Sequence, residues 1–348
     1  MFTIDVLPAE RGDCLWLTYG EGDDLHHVLI DGGPVETLGT LVPDLEARIK
    51  AVPGGQGRIE LLVVTHIDAD HIQGVVSLLS DPSRPKLFKD IWFNGYRHLI
   101  GQDVLGANDG ERLTAVLDPV RPRWNRAFKG KAVVVPDDGP LPVKKLAGGL
   151  ELTLLSPMQQ GLDALVDTWE EECALAGLHP GRGAAIPKER QRSGVLGFDP
   201  TALAKTPFRR DKSKPNRSSI AFIASYGGAS VLCGADAHAD VLSASLDRLG
   251  EGPHDLSAVK LPHHGSKGNV DLPFLRRIRS KRWLVSTNGA KFHHPDPEAL
   301  ARVVVTQKKP TFYLNYREEE TADLVSQAGS SWKVVMPRAS GGVSIKLA

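Results

Sequence analysis

The sequence predicts a mixed α/β protein in which two sheets are each faced by helices. Short apolar segments broken by Gly and Asp fill the first third of the chain, and strand-like and helix-like segments alternate after residue 219. Hairpin signals followed by strand–helix units occur in both halves, which favours two mixed sheets. The 348 residues are 41% hydrophobic and 24% charged, a globular composition that excludes wholesale disorder. We expect a single domain over residues 1–348.

The predicted elements of the first half end in polar loops. The helix-like spacing of Leu and Ile over 37–50 predicts a helix, and a second helix is predicted over 69–79. Asp31-Gly32-Gly33-Pro34 precedes the first helix and predicts a sharp turn. Segments rich in Val, Ile, Leu and aromatic residues predict strands at 2–7, 14–19, 27–30 and 61–65.

A basic segment interrupts the second half. Residues from about 159 to 215 are rich in Gly, Pro, Arg and Lys, and 182–217 holds ten basic residues against three acidic ones. We expect an insertion there that is partly mobile. Beyond it, alternation of the two patterns predicts strands at 219–226, 229–232, 258–261, 283–286 and 311–314, with helices at 239–249, 272–278 and 297–305.

Charge and cysteine content exclude several classes of protein. Lys+Arg and Asp+Glu both number 42, so a protein that coats nucleic acid or anionic lipid by bulk charge is excluded, and a polyanion would need a local patch. The three cysteines, Cys14, Cys173 and Cys233, form no CxxC pair, which argues against disulfides and a cysteine zinc site. The chain shows neither a signal-peptide pattern nor an apolar run of about 20 residues, so we expect a cytoplasmic protein.

The clearest chemical signal is Thr65-His66-Ile67-Asp68-Ala69-Asp70-His71, directly after an apolar strand. Its two imidazoles and two carboxylates each offer a lone pair to a cation. In a loop before a helix they can splay around two metal ions about 3.5–4 Å apart, with one bridging hydroxide. The alternative interpretation is a helix N-terminus that is capped by Asp68 and favoured by the charge of Asp70. It explains the aspartates but not His66 and His71.

Further candidate ligands follow strands of the second half. Asp236 comes directly after a strand, although a turn or N-cap aspartate is the alternative there. His263 and His264 precede Gly265-Ser266, and His293-His294 form a third signal. A single histidine at such a place is usually structural. As a set on consecutive strand ends, these residues favour a metal site.

Together these motifs resemble the metallo-β-lactamase fold. The resemblance is carried by HxDxDH at 66–71, Asp31-Gly32-Gly33, the aspartate at 236, and Pro-His-His-Gly-Ser at 262–266. The variant is similar to the hydrolase domain of the DNA-uptake protein ComEC and its free-standing relatives, over about residues 2–315 apart from the basic segment. The resemblance implies a four-layer αββα sandwich with a dinuclear metal site along one edge.

The resemblance also implies a ligand set for two divalent ions, Zn²⁺ and/or Mn²⁺. His66 and Asp68 would hold the first ion, and Asp236 would bridge the two. The second ion would be held by Asp70, His71 and His264. His264 is preferred to His263 because the family ligand is usually the histidine directly before Gly. Asp31 would orient the ligand loop by hydrogen bonds, with a turn-forming role as the alternative.

Two departures from the family pattern affect the first metal. Many members carry an extra histidine ligand where this chain has Ser219, as in ComEC-like relatives. The usual Gly-Asp is also stretched to Gly234-Ala235-Asp236, so Asp240 is a candidate substitute. Because carboxylate ligands suit harder ions, we expect activity with Mn²⁺ or mixed metals.

The expected chemistry is attack by a hydroxide that bridges the two ions. Asp70 would orient this hydroxide or take its proton, and His294, or alternatively His263, would donate to the leaving oxygen. The candidates for contacting a phosphate are His263, Lys267, Asn216, Ser218 and Ser219. The alternative for polar residues in such loops is that they are simply exposed to solvent.

The leading hypothesis is a phosphodiesterase or nuclease that binds DNA or RNA through a local basic patch. The basic segment and a second basic run at 276–282 favour it. One alternative is hydrolysis of a small substrate such as a cyclic nucleotide, a phosphocholine ester or a lactone, because the fold hosts all of these. Another is a non-catalytic binding module that a metal stabilises.

Overall fold

A computed structural model describes residues 1–51, 59–100, 108–175, 198–317, 321–338 and 341–348. Its first sheet is mixed and has six strands in the described residues, in the order β16-β1-β2-β3-β4-β5. Strands β1 to β3 form antiparallel pairs, whereas β3, β4 and β5 run parallel. The strands are β1 (Phe2–Val6), β2 (Leu15–Glu21), β3 (Asp24–Ile30), β4 (Ile59–Val63), β5 (Phe88–Trp92) and β16 (Val343–Lys346).

The second sheet, with eight strands in the same described part, has the order β15-β14-β13-β11-β9-β8-β7-β6. Its β6 to β9 side is antiparallel, and β9, β11, β13, β14 and β15 are parallel. A short parallel pair, β10 (His254–Asp255) with β12 (Ile278–Arg279), lies apart from it. The strands of the second sheet are β6 (Val143–Lys145), β7 (Glu151–Ser156), β8 (Ala221–Tyr226), β9 (Ala229–Cys233), β11 (Ala258–Lys260), β13 (Arg282–Val285), β14 (Thr311–Leu314) and β15 (Lys333–Val335).

The two sheets pack face to face around one apolar core. Leu15, Leu17 and Tyr19 alternate along β2 and are buried in the cluster that both sheets share, as the two-residue period of a strand requires. Between the sheets, Trp92 of β5 meets Phe222 of β8 edge to face, with ring centroids 6.4 Å apart. This shared core fixes how the loops at the sheet edges face one another.

Helices cover the outer faces of both sheets. Right-handed crossovers between parallel strands place their helices on one face of a sheet. Helices α1 and α2 join β3 to β4 and β4 to β5, and α8, α9 and α10 join the strands from β9 to β14. The helices are α1 (Leu38–Ala51), α2 (Ala69–Leu79), α3 (Tyr96–Ile100), α4 (Asn108–Leu117), α5 (Gln159–Leu175), α6 (Pro200–Leu203), α7 (Lys214–Arg217), α8 (Ala239–Asp247), α9 (Leu272–Arg276), α10 (Pro297–Thr306) and α11 (Ala322–Ser326). The predicted four-layer αββα architecture is confirmed.

The predicted basic insertion is described only at its two ends. Residues 159–175 form α5, and α6 and α7 lie in 198–217. Its central part, 176–197, lies outside the described residues. Within the described ranges, the structure holds no helix long and apolar enough to cross a membrane.

Candidate metal centre

The candidate ligands meet because several parallel strands end at one edge of the sandwich. The loop 65–71 follows the carboxyl end of β4, Asp236 follows β9, and His264 follows β11. Side chains beyond the carboxyl ends of parallel strands share one crevice. The apolar strands are buried, so each polar loop begins where the core ends.

At the centre, four imidazole nitrogens surround one carboxylate oxygen. The Oδ2 atom of Asp236 lies 3.4 Å from Nε2 of His71 and 3.9 Å from Nε2 of His66. Nε2 of His263 and Nε2 of His264 are each 3.6 Å from the same oxygen. The structure thus brings together residues that are up to 198 positions apart in the chain.

The aspartates of the HxDxDH loop join this ring. Oδ2 of Asp68 lies 3.6 Å from Nε2 of His66, and Oδ2 of Asp70 lies 3.7 Å from Nε2 of His264. Asp68 occupies the N-cap position of α2 but makes no capping hydrogen bond, so helix capping does not explain it. Three groups place their candidate ligand atoms within 4.8 Å of one another: His66 with His71 and Asp236, Asp70 with His71 and His264, and Asp13 with Asp236 and His264.

These side chains fit divalent cations. Nε2 of His66 and Oδ1 of Asp236 are buried and have no hydrogen-bond partner among the described residues. Such buried polar atoms cost about 1–3 kcal/mol each when nothing satisfies them. Nε2 of His71 and Nε2 of His264 face each other at 3.3 Å, a pair that one cation can satisfy. Imidazole and carboxylate donors together suit Zn²⁺ and Mn²⁺.

Hydrogen bonds from outside the ring hold the ligands in orientation. Asp31 accepts from Nδ1 of His71 at 2.8 Å, from the backbone N–H of Thr65 at 2.8 Å and from its hydroxyl at 2.7 Å. The Nδ1–H of His264 donates to the carbonyl of Ser286 at 2.8 Å. A histidine fixed through one ring nitrogen presents the other to a metal. Asp31 therefore lies where the resemblance implies an orienting residue.

The carboxylates and imidazoles of the ring shift one another's pKa values. Burial favours neutral His71, but the carboxylates of Asp236 and Asp31 raise its pKa well above the usual value. Burial likewise opposes ionisation of Asp236, but His71, His263 and His264 hold its pKa well below the usual range. Burial also opposes protonation of His263, but the carboxylates of Asp236 and Asp211 outweigh it and raise the pKa of His263 to about 9. Positive charge is therefore favoured at the centre of the ring.

Left-handed backbone conformations concentrate in the loops of the centre. Asp31, Ala235, His263 and His264 have φ values of 57°, 45°, 46° and 54°. Non-glycine residues rarely adopt this conformation, which costs about 1–3 kcal/mol and persists where surrounding structure enforces it. Here it turns adjacent histidines, His263 and His264, so that both Nε2 atoms face Asp236.

A buried ion pair that was not predicted from the sequence lies behind His264. Nζ of Lys260 lies 2.7 Å from Oδ2 of Asp13, and both side chains are buried. Oδ1 of Asp13 lies 3.3 Å from Nδ1 of His264. A lysine at the end of the apolar segment 258–261 was the available signal, because a buried lysine needs an acidic partner.

Asp211, which was also not predicted as a site residue, supports His263. Oδ2 of Asp211 lies 3.4 Å from Nδ1 of His263 and accepts from the amides of Asn216 at 2.7 Å and Asn269 at 3.0 Å. Asn269 accepts from Nδ1 of His263 at 2.9 Å. The signal was weak, because Asp211 lies in the basic segment, where an acidic residue reads as a surface charge.

The other predicted site residues divide into two groups. His294 lies near the centre, with its ring centroid 5.2 Å from that of His263. Ser219 is buried beside the ligand loop, where the N–H of Ile220 donates to the carbonyl of Thr65 at 2.9 Å. Asn216 contacts Nδ1 of His263 at 3.3 Å.

Three candidates have their polar groups engaged elsewhere. Nζ of Lys267 lies 3.3 Å from Asp296 and 3.4 Å from Glu298. The hydroxyl of Ser218 donates to the carbonyl of Pro215. Asp240, the candidate substitute for Asp236, instead lies 3.1 Å from Arg210 and 3.1 Å from Arg217.

The second basic run lies far from the ligands. Residues 276–282 precede or open β13, whereas Ser286, which contacts His264, follows its carboxyl end. A strand of four residues spans about 13 Å. Arg277 and Arg279 are also paired with Asp247 and Asp255. The second basic run therefore lies at the amino ends of the parallel strands of the second sheet, whereas the candidate ligands follow the carboxyl ends.

Comparison with known proteins finds similarity only among solved structures. No protein-family model matches the chain, and none of the curated proteins matches it. The metallo-β-lactamase fold protein YhfI from Bacillus subtilis is 11% identical with a TM-score of 0.40, over 99% of this chain and 100% of that one. Zn²⁺-bound PqqB from Methylobacterium extorquens is 12% identical with a TM-score of 0.38, again over 99% and 100%. The diiron β-hydroxylase CmlA from Streptomyces venezuelae is 12% identical with a TM-score of 0.40, and the chain covers 54% of its length.

Proposed function

We propose that the protein is a dinuclear metal-dependent hydrolase that acts on phosphodiesters. The observation that carries the proposal is the ring of four Nε2 atoms, 3.4–3.9 Å from one oxygen of buried Asp236. The HxDxDH and Pro-His-His-Gly-Ser motifs, similar to those of the ComEC hydrolase domain, support the choice of phosphodiesters.

The side chains divide into two ligand sets that share Asp236. His66 and Asp68 would hold one ion, and the other would be held by Asp70, His71 and His264. When bound, the ions would lower the pKa of a water molecule and neutralise charge on the reacting phosphoryl group. With Ser219 in place of a further histidine, the first set suits Mn²⁺ as well as Zn²⁺.

Three residues would handle protons and the substrate. Asp70 borders the ring and its side chain is 14% exposed, so it can orient the attacking water and accept its proton. His263 presents Nε2 to the centre while Asn269 and Asp211 fix its Nδ1, so it would contact the phosphoryl oxygens. His294, beside His263, would donate to the leaving oxygen.

The test is hydrolysis by metal-free protein reconstituted with Zn²⁺ or Mn²⁺. Bis-p-nitrophenyl phosphate and labelled single- and double-stranded DNA are the substrates, and we expect Mn²⁺ to restore turnover. Asp70→Ala should lower the rate by about 100-fold or more, the range of general acid–base catalysis. Asp240→Asn is the matched control, because Asp240 contacts arginines rather than the ring.

Several results would contradict the proposal. Hydrolysis of a lactone without any phosphodiester cleavage would indicate acyl chemistry. Full metal content without hydrolysis of any substrate would favour a metal-stabilised binding module. Fewer than one ion per chain after reconstitution would contradict the dinuclear site itself.

A further inference from the structure

A basic pocket is lined by residues that follow β5, by the loop 127–134 and by Lys144 of β6. It has a volume of about 800 Å³, within the range of nucleotide-sized ligand sites. No aspartate or glutamate of the described residues lines it. Its polar lining consists of Arg97, His98, Lys129, Lys131, Lys144 and Gln159.

The pocket retains its positive charge. Among the described residues, no carboxylate lies within 4.0 Å of Lys129, Lys131 or Lys144. Nζ of Lys144 donates to the carbonyl of Ala127 at 2.9 Å and lies 4.4 Å from the centroid of the Phe128 ring. Lys129 and Lys131 are exposed. In a chain of zero net charge, this is a local concentration of cations.

Buried polar side chains hold the lysine-bearing loop in place. Asp90 accepts from the N–H groups of Arg126 and Ala127, each at 2.8 Å. Asn125 accepts from Phe93 N–H at 2.9 Å and donates to the carbonyl of Lys131 at 3.0 Å. These buried bonds fix the loop between Trp124 and Val133, so its lysines are presented without a cost of ordering the backbone on binding.

A second pair of bonds closes the same loop. Asn94 donates to the carbonyl of Val133 at 2.8 Å and accepts from its N–H at 2.8 Å. The guanidinium of Arg97, which also lines the pocket, lies 5.5 Å from the Trp124 ring centroid. The loop that carries Lys129 and Lys131 is therefore fixed at both ends by buried side chains.

Part of the pocket lining lies at the same end of the first sheet as the ligand loop. Arg97 follows the carboxyl end of β5, and the ligand loop follows the carboxyl end of its parallel neighbour β4. The segment at Trp124 pairs with Ile91 on the far side of β5. The backbone at Trp124 therefore lies two strand spacings, or about 10 Å, from β4, the strand that leads into the ligand loop. An extended polyanion can span such a separation.

We propose that this pocket binds the phosphates of a nucleic-acid strand next to the phosphodiester being cleaved. The choice of a nucleic acid rests on the proposed function, whereas the pocket itself rests on the contacts above. Lysines hold phosphates as point charges and release counterions on binding. The pocket is thus the local patch that a chain of zero net charge needs in order to bind a polyanion.

The experiment measures binding of a fluorescent single-stranded oligonucleotide in EDTA, so that cleavage plays no part. The double variant Lys129→Gln/Lys131→Gln should weaken binding several-fold. The plot of log affinity against log salt concentration should also become less steep by about 1.4, because each lost phosphate contact removes about 0.7 from the magnitude of its slope. The control is Lys281→Gln/Lys308→Gln, which removes two exposed lysines that precede strands β13 and β14, at the amino ends of these strands. This control variant should bind the oligonucleotide like the wild type.

Three outcomes would overturn the proposal. One is equal binding by the wild type and Lys129→Gln/Lys131→Gln, with unchanged melting temperatures. Another is an equal loss in the control variant, which would indicate diffuse charge. The third is ATP competing as tightly as the oligonucleotide, which would assign the pocket to a free nucleotide. Absent cleavage with binding retained would instead contradict the hydrolase proposal and leave this one supported.

Discussion

At the scale of the residue, the orientation of the candidate ligands depends on a few buried hydrogen bonds. Asp31 joins His71 to the backbone and hydroxyl of Thr65 through three contacts of 2.7–2.8 Å. An amide in its place would keep the shape but lose the negative charge that fixes the Nδ1–H of His71. The orientation of one ligand and of its loop would weaken together.

We therefore expect Asp31→Asn to lower metal affinity by about 10–100-fold, as for other partners of metal-ligating histidines. The measurement is competition with a chromophoric chelator for Zn²⁺ and Mn²⁺. Asp138→Asn, in an exposed loop, is the control and should bind like the wild type. An unchanged affinity in Asp31→Asn would reduce Asp31 to a turn former.

The buried Asp13–Lys260 pair lends itself to a double-mutant cycle. Removing one partner leaves a buried charge uncompensated, so Asp13→Asn and Lys260→Met should each lower the free energy of unfolding by about 3–5 kcal/mol. The double variant should lose less than the sum of the two, because no lone charge remains. Urea unfolding of metal-free protein provides the measurement, and strictly additive losses would show that the pair is not coupled.

At the scale of the element, the start of α2 is interlocked with the loop after β3. Gly32 N–H donates to the His71 carbonyl, and Gly74 N–H donates to the Gly33 carbonyl, each at 2.9 Å. A Cβ on Gly74 would lie 1.8 Å from the Gly32 carbonyl oxygen. This close approach places His71 against Asp31, so helix position and ligand position are linked.

Gly74→Ala should therefore destabilise the protein by about 3 kcal/mol, since neither backbone can yield without moving the other. Gly39→Ala in α1 is the matched control, because a Cβ there meets no atom within 4 Å. That change should add up to about 1 kcal/mol through helix propensity. Denaturant midpoints of the two variants would separate the effects, and equal shifts would contradict the interlock.

Strand ends explain how much of this site the sequence could predict. His66, Asp68, Asp70 and His71 are close in sequence, so their convergence needs only one loop, and the motif predicts it. Asp236 and His264 required the rule that parallel strands end at one edge. The pairing of Asp13 with Lys260 and of Asp211 with His263 could not be predicted, because these partners come from segments that meet only in the folded protein. The basic pocket could not be predicted for the same reason, because Arg97, Lys131 and Lys144 lie on separate elements that meet only in the folded protein.

At the scale of the whole molecule, the candidate metal centre lies at the seam between the two sheets. His66, Asp68, Asp70 and His71 follow β4 of the first sheet, whereas Asp236, His263 and His264 follow β9 and β11 of the second. A cation that binds both sets exists only when the sheets are packed together. Metal binding should therefore be coupled to global folding rather than to one loop.

This coupling predicts a concentration-dependent gain in thermal stability when metal is added to metal-free protein. An ion at 100 times its dissociation constant raises the free energy of unfolding by about 2.7 kcal/mol, so the melting temperature should rise with Zn²⁺ or Mn²⁺ and fall on chelation.

Asp236→Asn should lose most of this gain in melting temperature, because Asp236 lies within 3.9 Å of histidines from both sheets. Asp240→Asn, four residues on but paired with Arg210 and Arg217, should keep it. Calorimetry over a range of metal concentrations is the measurement. The prediction is contradicted if the melting temperature does not depend on metal concentration, or if Asp236→Asn and Asp240→Asn gain equal thermal stability. Either result would mean that the two sheets do not share a cation through Asp236.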